Sequence, residues 1–129
     1  MARVRDAMTR ELVTMDASCS VGEAATMMAR RRVGSVLVLE DGALAGIFTE
    51  RDIVRALSQD TGAPAESLAD WMTRDPVTIS PDADLEEARR RMLEGHFRHL
   101  PVEEEGRPVG MLSMRDLARA SASDSQQPA

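Results

Sequence analysis

The chain has 129 residues and a mass of 14.1 kDa, 43% of them hydrophobic and 29% charged, which allows one domain's worth of core and excludes a large multidomain enzyme. A net charge of −6 opposes a phosphate backbone and argues against general nucleic-acid binding, and Phe48, Phe97 and Trp71 offer too few stacking platforms for a single-strand binder. No run approaches the ~20 apolar residues of a membrane span, the charged start MARVRDAMTRE lacks the apolar segment of a signal peptide, and the lone Cys19 permits no internal disulfide, so a cytoplasmic protein without membrane attachment is expected.

Slid along itself at an offset of 64 residues, the sequence aligns Val4–Ala56 with Leu68–Ala120 without gaps, and 17 of the 53 positions are identical. The chain is therefore two copies of one unit: repeat 1 over residues 1–57, a linker over 58–67 marked by Gly62 and Pro64, repeat 2 over 68–120, and a polar tail over 121–129 expected to be disordered. Each copy opens on a short β-rich segment, Val13–Met15 or Val77–Ile79. A helix follows. Ser20 with Glu23, and Asp84 with Glu87, have the spacing of an N-cap and its returning carboxylate, and Val21, Ala24 and Met28, or Leu85, Ala88 and Met92, then recur on one face. Strands are expected at Ser35–Leu39 and His99–Val102, joined through the turns Asp41-Gly42 and Glu105-Gly106 to strands at Leu44–Phe48 and Val109–Leu112. Helices at Glu50–Leu57 and Met114–Ala120 close the copies. The order β-α-β-β-α, given twice, predicts an α/β (α+β) fold in which two small sheets face one another across a pseudo-two-fold axis.

The most informative stretch is GIFTERDIVRA (Gly46–Ala56) against GMLSMRDLARA (Gly110–Ala120), a strand running into a helix. A helix N-terminus presents unpaired N–H groups and a partial positive charge to an anion. Thr49 and Ser113 add a hydroxyl there, and Asp52 and Asp116 add a carboxylate acceptor suited to the vicinal hydroxyls of a ribose, while Gly46 and Gly110 allow close backbone approach. Together these features describe a ribonucleotide site. The same [ST]-x-x-[DE] spacing is also a helix capping box, and the two readings are compatible in one structure.

With DAMTRELVT and DWMTRDPVT opening the copies, VGSVLVLEDG and FRHLPVEEEG in the middle, and the duplicated G-h-h-[ST]-x-x-D turn, Val4–Ala120 resembles a tandem pair of CBS (cystathionine β-synthase) domains, a Bateman module. The resemblance implies a stand-alone, non-catalytic regulatory protein that binds AMP, ADP, ATP, NAD or S-adenosylmethionine in the cleft between the repeats, with AMP or ATP first among them and no required cofactor. It further implies a homodimer that signals an energy state to a downstream protein. By position, Asp52 and Asp116 would hold ribose hydroxyls, Thr49 and Ser113 ribose or phosphate. Val13, Thr14, Val77 and Thr78 would line the adenine, and Gly34, Ser35, Arg98 and His99 would face phosphates or base. Arg98 and His99 concentrate positive charge in the second copy, so the tighter site is expected there. The first copy has Leu37 where the second has Pro101, the residue favoured in this family. The rival reading is a ligand-independent dimerisation or interaction module whose turns are only caps.

Other features read as structure. His96 and His99 lack the partners of a zinc site. Glu86 and Glu87 lie four residues before Arg90 and Arg91, so Arg89–Arg91 read as a salt-paired solvent face, and Arg30–Arg32 suit a helix C-terminus. The nine methionines and Trp71 read as packing residues, and Cys19 as a small, partly buried apolar side chain.

Overall fold

The computed structural model describes residues 2–126, with side chains through Ala120. In chain order the elements are α1 (Val4–Ala7), β1 (Thr14–Asp16), α2 (Val21–Arg31), β2 (Ser35–Glu40), β3 (Ala43–Thr49), α3 (Glu50–Gln59), α4 (Leu68–Trp71), β4 (Thr73–Arg74), α5 (Leu85–Gly95), β5 (His99–Glu104), β6 (Arg107–Ser113) and α6 (Met114–Gln126), with a 3-10 turn at Ala63–Ala65. They form two compact units. One is Val13–Pro76; the other begins with the segment that ends at Leu12 and resumes at Val77. Each unit therefore takes its opening helix from the other sequence repeat.

In the Val13–Pro76 unit, α2 starts where its capping chemistry dictates. Glu23 N–H donates to Ser20 Oγ and Ser20 N–H donates to Glu23 Oε1, both at 3.0 Å, so two otherwise orphaned donors are satisfied. Crossing over this helix, β1 lies parallel to β2, which pairs antiparallel with β3, which pairs with β4. The β2–β3 hairpin turns through Asp41 and Gly42, both at positive φ (51° and 80°), the conformation a two-residue hairpin with native twist requires. Val21, Ala24, Met28, Val36, Val38, Phe48 and Leu68 fill the core between helix and sheet, with Cys19 and Trp71 packed partly against it. Burying a side chain such as Phe48 or Leu68 stabilises the unit by roughly 1.5–3 kcal/mol. Residues 58–67, expected as a linker, pack on α2: Ala63 is fully buried, and the Pro64 carbonyl lies 3.1 Å from where a Cβ on Gly22 would stand.

The second unit repeats this plan with instructive differences. The β5–β6 hairpin turns through Glu105 and Gly106 at φ 53° and 79°, and its register slips between Val102 and Glu103, as that of β2–β3 slips between Val38 and Leu39. Ile79 bridges Val102 in parallel and Thr9 bridges Met111 antiparallel, so the positions of β1 and β4 are filled here by single bridges. The expected strand at Val77–Ile79 thus shrinks to Ile79. The reason is chemical. In the first copy Leu37 N–H donates to Val13 C=O at 2.9 Å; the matching donor in the second copy belongs to Pro101, which has none.

Asp84 caps α5 by accepting from Glu86 N–H at 2.9 Å, but Glu87 pairs with Arg91 at 2.8 Å instead of returning to the cap. Val4, Ile79, Ala88, Met92, Leu100, Val102, Leu112 and Leu117 form the core. Residues 121–126 continue α6, where a disordered tail was expected from 121 onward; extending a helix already nucleated is far easier than starting one. Residues 127–129 of that tail lie outside the described residues.

Candidate ligand site

In the Val13–Pro76 unit, β3 delivers Thr49 as the N-cap of α3. Thr49 N–H donates to Asp52 Oδ2 at 2.9 Å, the Thr49 hydroxyl lies 3.2 Å from the same oxygen, and Asp52 N–H points back to Thr49 Oγ1 at 3.4 Å. The capping box foreseen from the sequence is therefore formed, with Asp52 only 6% exposed. The outer oxygen, Oδ1, has Arg55 at 3.4 Å. That guanidinium is held chiefly elsewhere: it donates to the Trp71 carbonyl at 2.7 Å and lies over the Trp71 ring, 5.3 Å from its centroid. The Trp71 indole N–H in turn donates to Glu66 at 3.3 Å.

The other unit builds the same turn. Ser113 N–H donates to Asp116 Oδ2 at 2.8 Å, Asp116 N–H donates to Ser113 Oγ at 3.1 Å, and Asp116 is 4% exposed. Arg119 donates to Asp116 Oδ1. Ala7 stands at the repeat position of Trp71, so Arg119 has no indole to rest on. Each turn thus offers a hydroxyl and a buried, charge-paired carboxylate at the positive end of a helix. That arrangement can accept hydroxyl hydrogen bonds and favour an anion. The paired arginines, one helical turn after the aspartates, have no role in the sequence reading; their signal was the second arginine shared by both copies of the motif.

The neighbouring predicted residues assemble by unit. Ser35 pairs with Thr49 and His99 with Ser113, and the carbonyls of Gly34 and Arg98 accept from the first helical N–H groups, Glu50 at 3.2 Å and Met114 at 3.0 Å. Thr14 pairs with Leu37, two residues along β2 from Ser35, and Val13 accepts from Leu37. Val77 is half exposed, and the Thr78 carbonyl accepts from Arg91 at 2.8 Å. The two glycines do something different from what was expected. A Cβ on Gly46 would stand 2.6 Å from Thr73 O and 2.8 Å from Met72 Sδ; one on Gly110 would stand 2.6 Å from Met8 Sδ and 3.1 Å from Thr9 O. The close approach at Gly46 and Gly110 is thus made by the chain's own Met-Thr segments.

A profile of the CBS domain matches residues 4–59 and again 68–123. The chain belongs to the CBS domain family. This CBS pair is 30% identical over 118 residues to the CBS domain-containing protein YhcV of Bacillus subtilis, covering 92% of the chain and 84% of that relative. The CBS-domain containing protein ATU1752 from Agrobacterium tumefaciens has the same fold, with a TM-score of 0.88 and 35% identity over 93% of this chain and 99% of that one. CBSX2, solved in complex with AMP, gives a TM-score of 0.84 and 26% identity over 98% of this chain and all of its own.

Elsewhere on the CBS pair, an open depression of about 530 Å³ runs along α5 between Glu86, Arg90 and Leu93, far along the chain from either turn. A surface hollow lined largely by exposed charged side chains has less claim to a ligand than the buried aspartates. Among the described residues no group of three His, Cys, Asp or Glu is set to hold a metal, and no helix is long and apolar enough to cross a membrane. Arg89 pairs with Glu86 at 3.0 Å and Arg91 with Glu87, giving the salt-paired face expected of α5. Met28, Met72 and Met92 are buried in the cores.

Proposed function

We propose that this CBS pair is a non-catalytic regulatory module that binds an adenosine derivative at its strand-to-helix turns and passes the liganded state to a partner protein. One observation carries the reading: the hydroxyl and buried carboxylate at the start of α3 recur at the start of α6, each with the backbone of the preceding strand alongside. CBSX2, which shares the fold and holds AMP, supports it. In this reading Asp52 and Asp116 accept ribose hydroxyls, Thr49 and Ser113 contact ribose or phosphate, and Gly34, Ser35, Arg98 and His99 flank the phosphates or base. Val13, Thr14, Val77 and Thr78 line the adenine, with AMP or ATP the first ligands to test. The exposed apolar side chains Val54, Leu57 and Leu93 suit a homodimer.

Mass spectrometry of the small molecule that copurifies, followed by calorimetry with AMP, ATP, NAD and S-adenosylmethionine, tests the reading. Charge-assisted hydrogen bonds of about 1.5–3 kcal/mol make Asp116→Ala about tenfold to a hundredfold weaker in binding at its site. A second reading has its own observation: both oxygens of each aspartate already have partners, as in a turn that only caps its helix. In that case the protein is a dimerisation module that gives no heat with any of the four compounds, and sedimentation shows a dimer regardless of nucleotide.

A further inference from the structure

We infer that the two turns are unequal acceptors of a ribose, because Trp71 draws Arg55 off Asp52 while Arg119 stays on Asp116. The inference rests on the nucleotide reading above and names how that site is regulated from within. The two aspartates match in burial and in the cap that occupies Oδ2, so what distinguishes them is the partner of Oδ1. Arg55 spends its donors on the Trp71 carbonyl and its face on the indole, reaching Asp52 only at 3.4 Å, the outer limit of a hydrogen bond. Its side chain is 44% exposed, against 68% for Arg119, which donates to Asp116 and has Ala7 at the repeat position of the indole. A hydroxyl arriving at Asp52 Oδ1 meets a lightly engaged acceptor. One arriving at Asp116 Oδ1 must first share or displace a guanidinium. Arg119 is thus a positioning residue that competes with the ligand, and Trp71 relieves that competition in the other unit. This order is the reverse of the one expected from the positive charge of Arg98 and His99.

Two single-site proteins test the inference, Asp116→Ala, which keeps the Asp52 turn, and Asp52→Ala, which keeps the Asp116 turn, both titrated with AMP by calorimetry. AMP is expected to bind the Asp52 turn roughly threefold to tenfold more tightly, the range set by an exposed arginine on a buried carboxylate. Adding Arg119→Ala to the Asp52→Ala protein closes that gap, whereas Arg119→Lys, which restores the cation, does not. With 2′,3′-dideoxy-AMP the gain from Arg119→Ala vanishes, since no hydroxyl competes; a merely structural role of Arg119 would not depend on the hydroxyls. In the Asp116→Ala protein, Trp71→Ala removes the ring but leaves the main-chain carbonyl that holds Arg55, so it weakens AMP by less than the full gap, and Trp71→Phe, which keeps a ring beneath Arg55, does not weaken it. Because Arg119 is exposed, its variants keep the test decisive even where Trp71→Ala fails to fold. Equal affinities of the two single-site proteins, or weaker AMP binding with Arg119→Ala, overturn the inference and leave the nucleotide reading standing. A wild-type protein that gives no heat with AMP, ATP, NAD or S-adenosylmethionine overturns both.

Discussion

Substituting Gly46 by alanine separates a glycine needed for packing from one needed for a ligand. The added methyl would lie 2.6 Å from Thr73 O, 2.8 Å from Met72 Sδ and 3.1 Å from Met72 Cγ, where ordinary contact begins near 3.4 Å. The methionine tip can rotate away. Thr73 O cannot, because it belongs to β4, whose Thr73 and Arg74 are paired with Ile47 and Gly46. Overpacking of this kind costs about 1–3 kcal/mol, while losing a glycine from the unfolded chain returns about 0.4–1 kcal/mol, so Gly46→Ala should destabilise by roughly 1–2 kcal/mol. At Gly110 the nearest atom is the flexible Met8 Sδ and the main-chain oxygen is farther, at 3.1 Å, so Gly110→Ala should cost less. Gly62→Ala is the control, since only Asp60 Oδ1, at 3.3 Å, lies near and φ is −86°. Urea denaturation followed by circular dichroism ranks the three. In a double mutant Met72→Ala should recover only the part of the Gly46→Ala penalty owed to sulfur. Gly46→Ala as stable as wild type, or less costly than Gly110→Ala, would refute the reasoning.

Pro101→Leu supplies the missing donor opposite Val77, so hydrogen exchange at the new amide should slow toward that of Leu37; exchange as fast as an exposed loop would show that proline is not what breaks the strand. Ser20→Ala removes one half of a complete capping box and should cost about 0.5–2 kcal/mol in thermal or urea unfolding. The Asp82 carboxyl is held below its ordinary value, first by the hydrogen bond from Arg5 and then by the charges of Arg5 and Arg3. A depressed folded value means that this stabilisation is complete above the unfolded value, about pH 4, and is lost as pH falls through the folded one. Asp82→Asn should therefore flatten the acid limb of stability below about pH 4, and an unchanged limb counts against it.

The local chemistry was legible in the sequence. Asp-Gly and Glu-Gly made the hairpins, Ser20 with Glu23 and Thr49 with Asp52 made the caps, and the periodic Val21, Ala24 and Met28 faced the core. What escaped was either too short or too distant. Four-residue helices such as Val4–Ala7 and Leu68–Trp71 carry no measurable period, and pairings such as Thr9 with Met111 join segments some hundred residues apart. At the site, spacing could name Thr49, Asp52, Ser113 and Asp116 but not what lay on their outer oxygens. Arg55 bends to Trp71 across a gap in sequence that no motif spans, and Gly46 looked like room for a ligand until Met72 was seen to occupy it.

The exchange of opening segments changes how damage along this chain is to be mapped. A cut or bulky label between Ala2 and Leu12 strikes a helix and a bridge that belong with β6 and α6, so the lesion is felt some hundred residues further along the chain, near Ser113 and Asp116. Residues 13–76, in contrast, hold a complete unit in one unbroken stretch. Natural or engineered exchanges between such proteins would therefore join most cleanly after residues 12 and 76, about eight places beyond Val4 and Leu68, where the aligned sequence repeats begin.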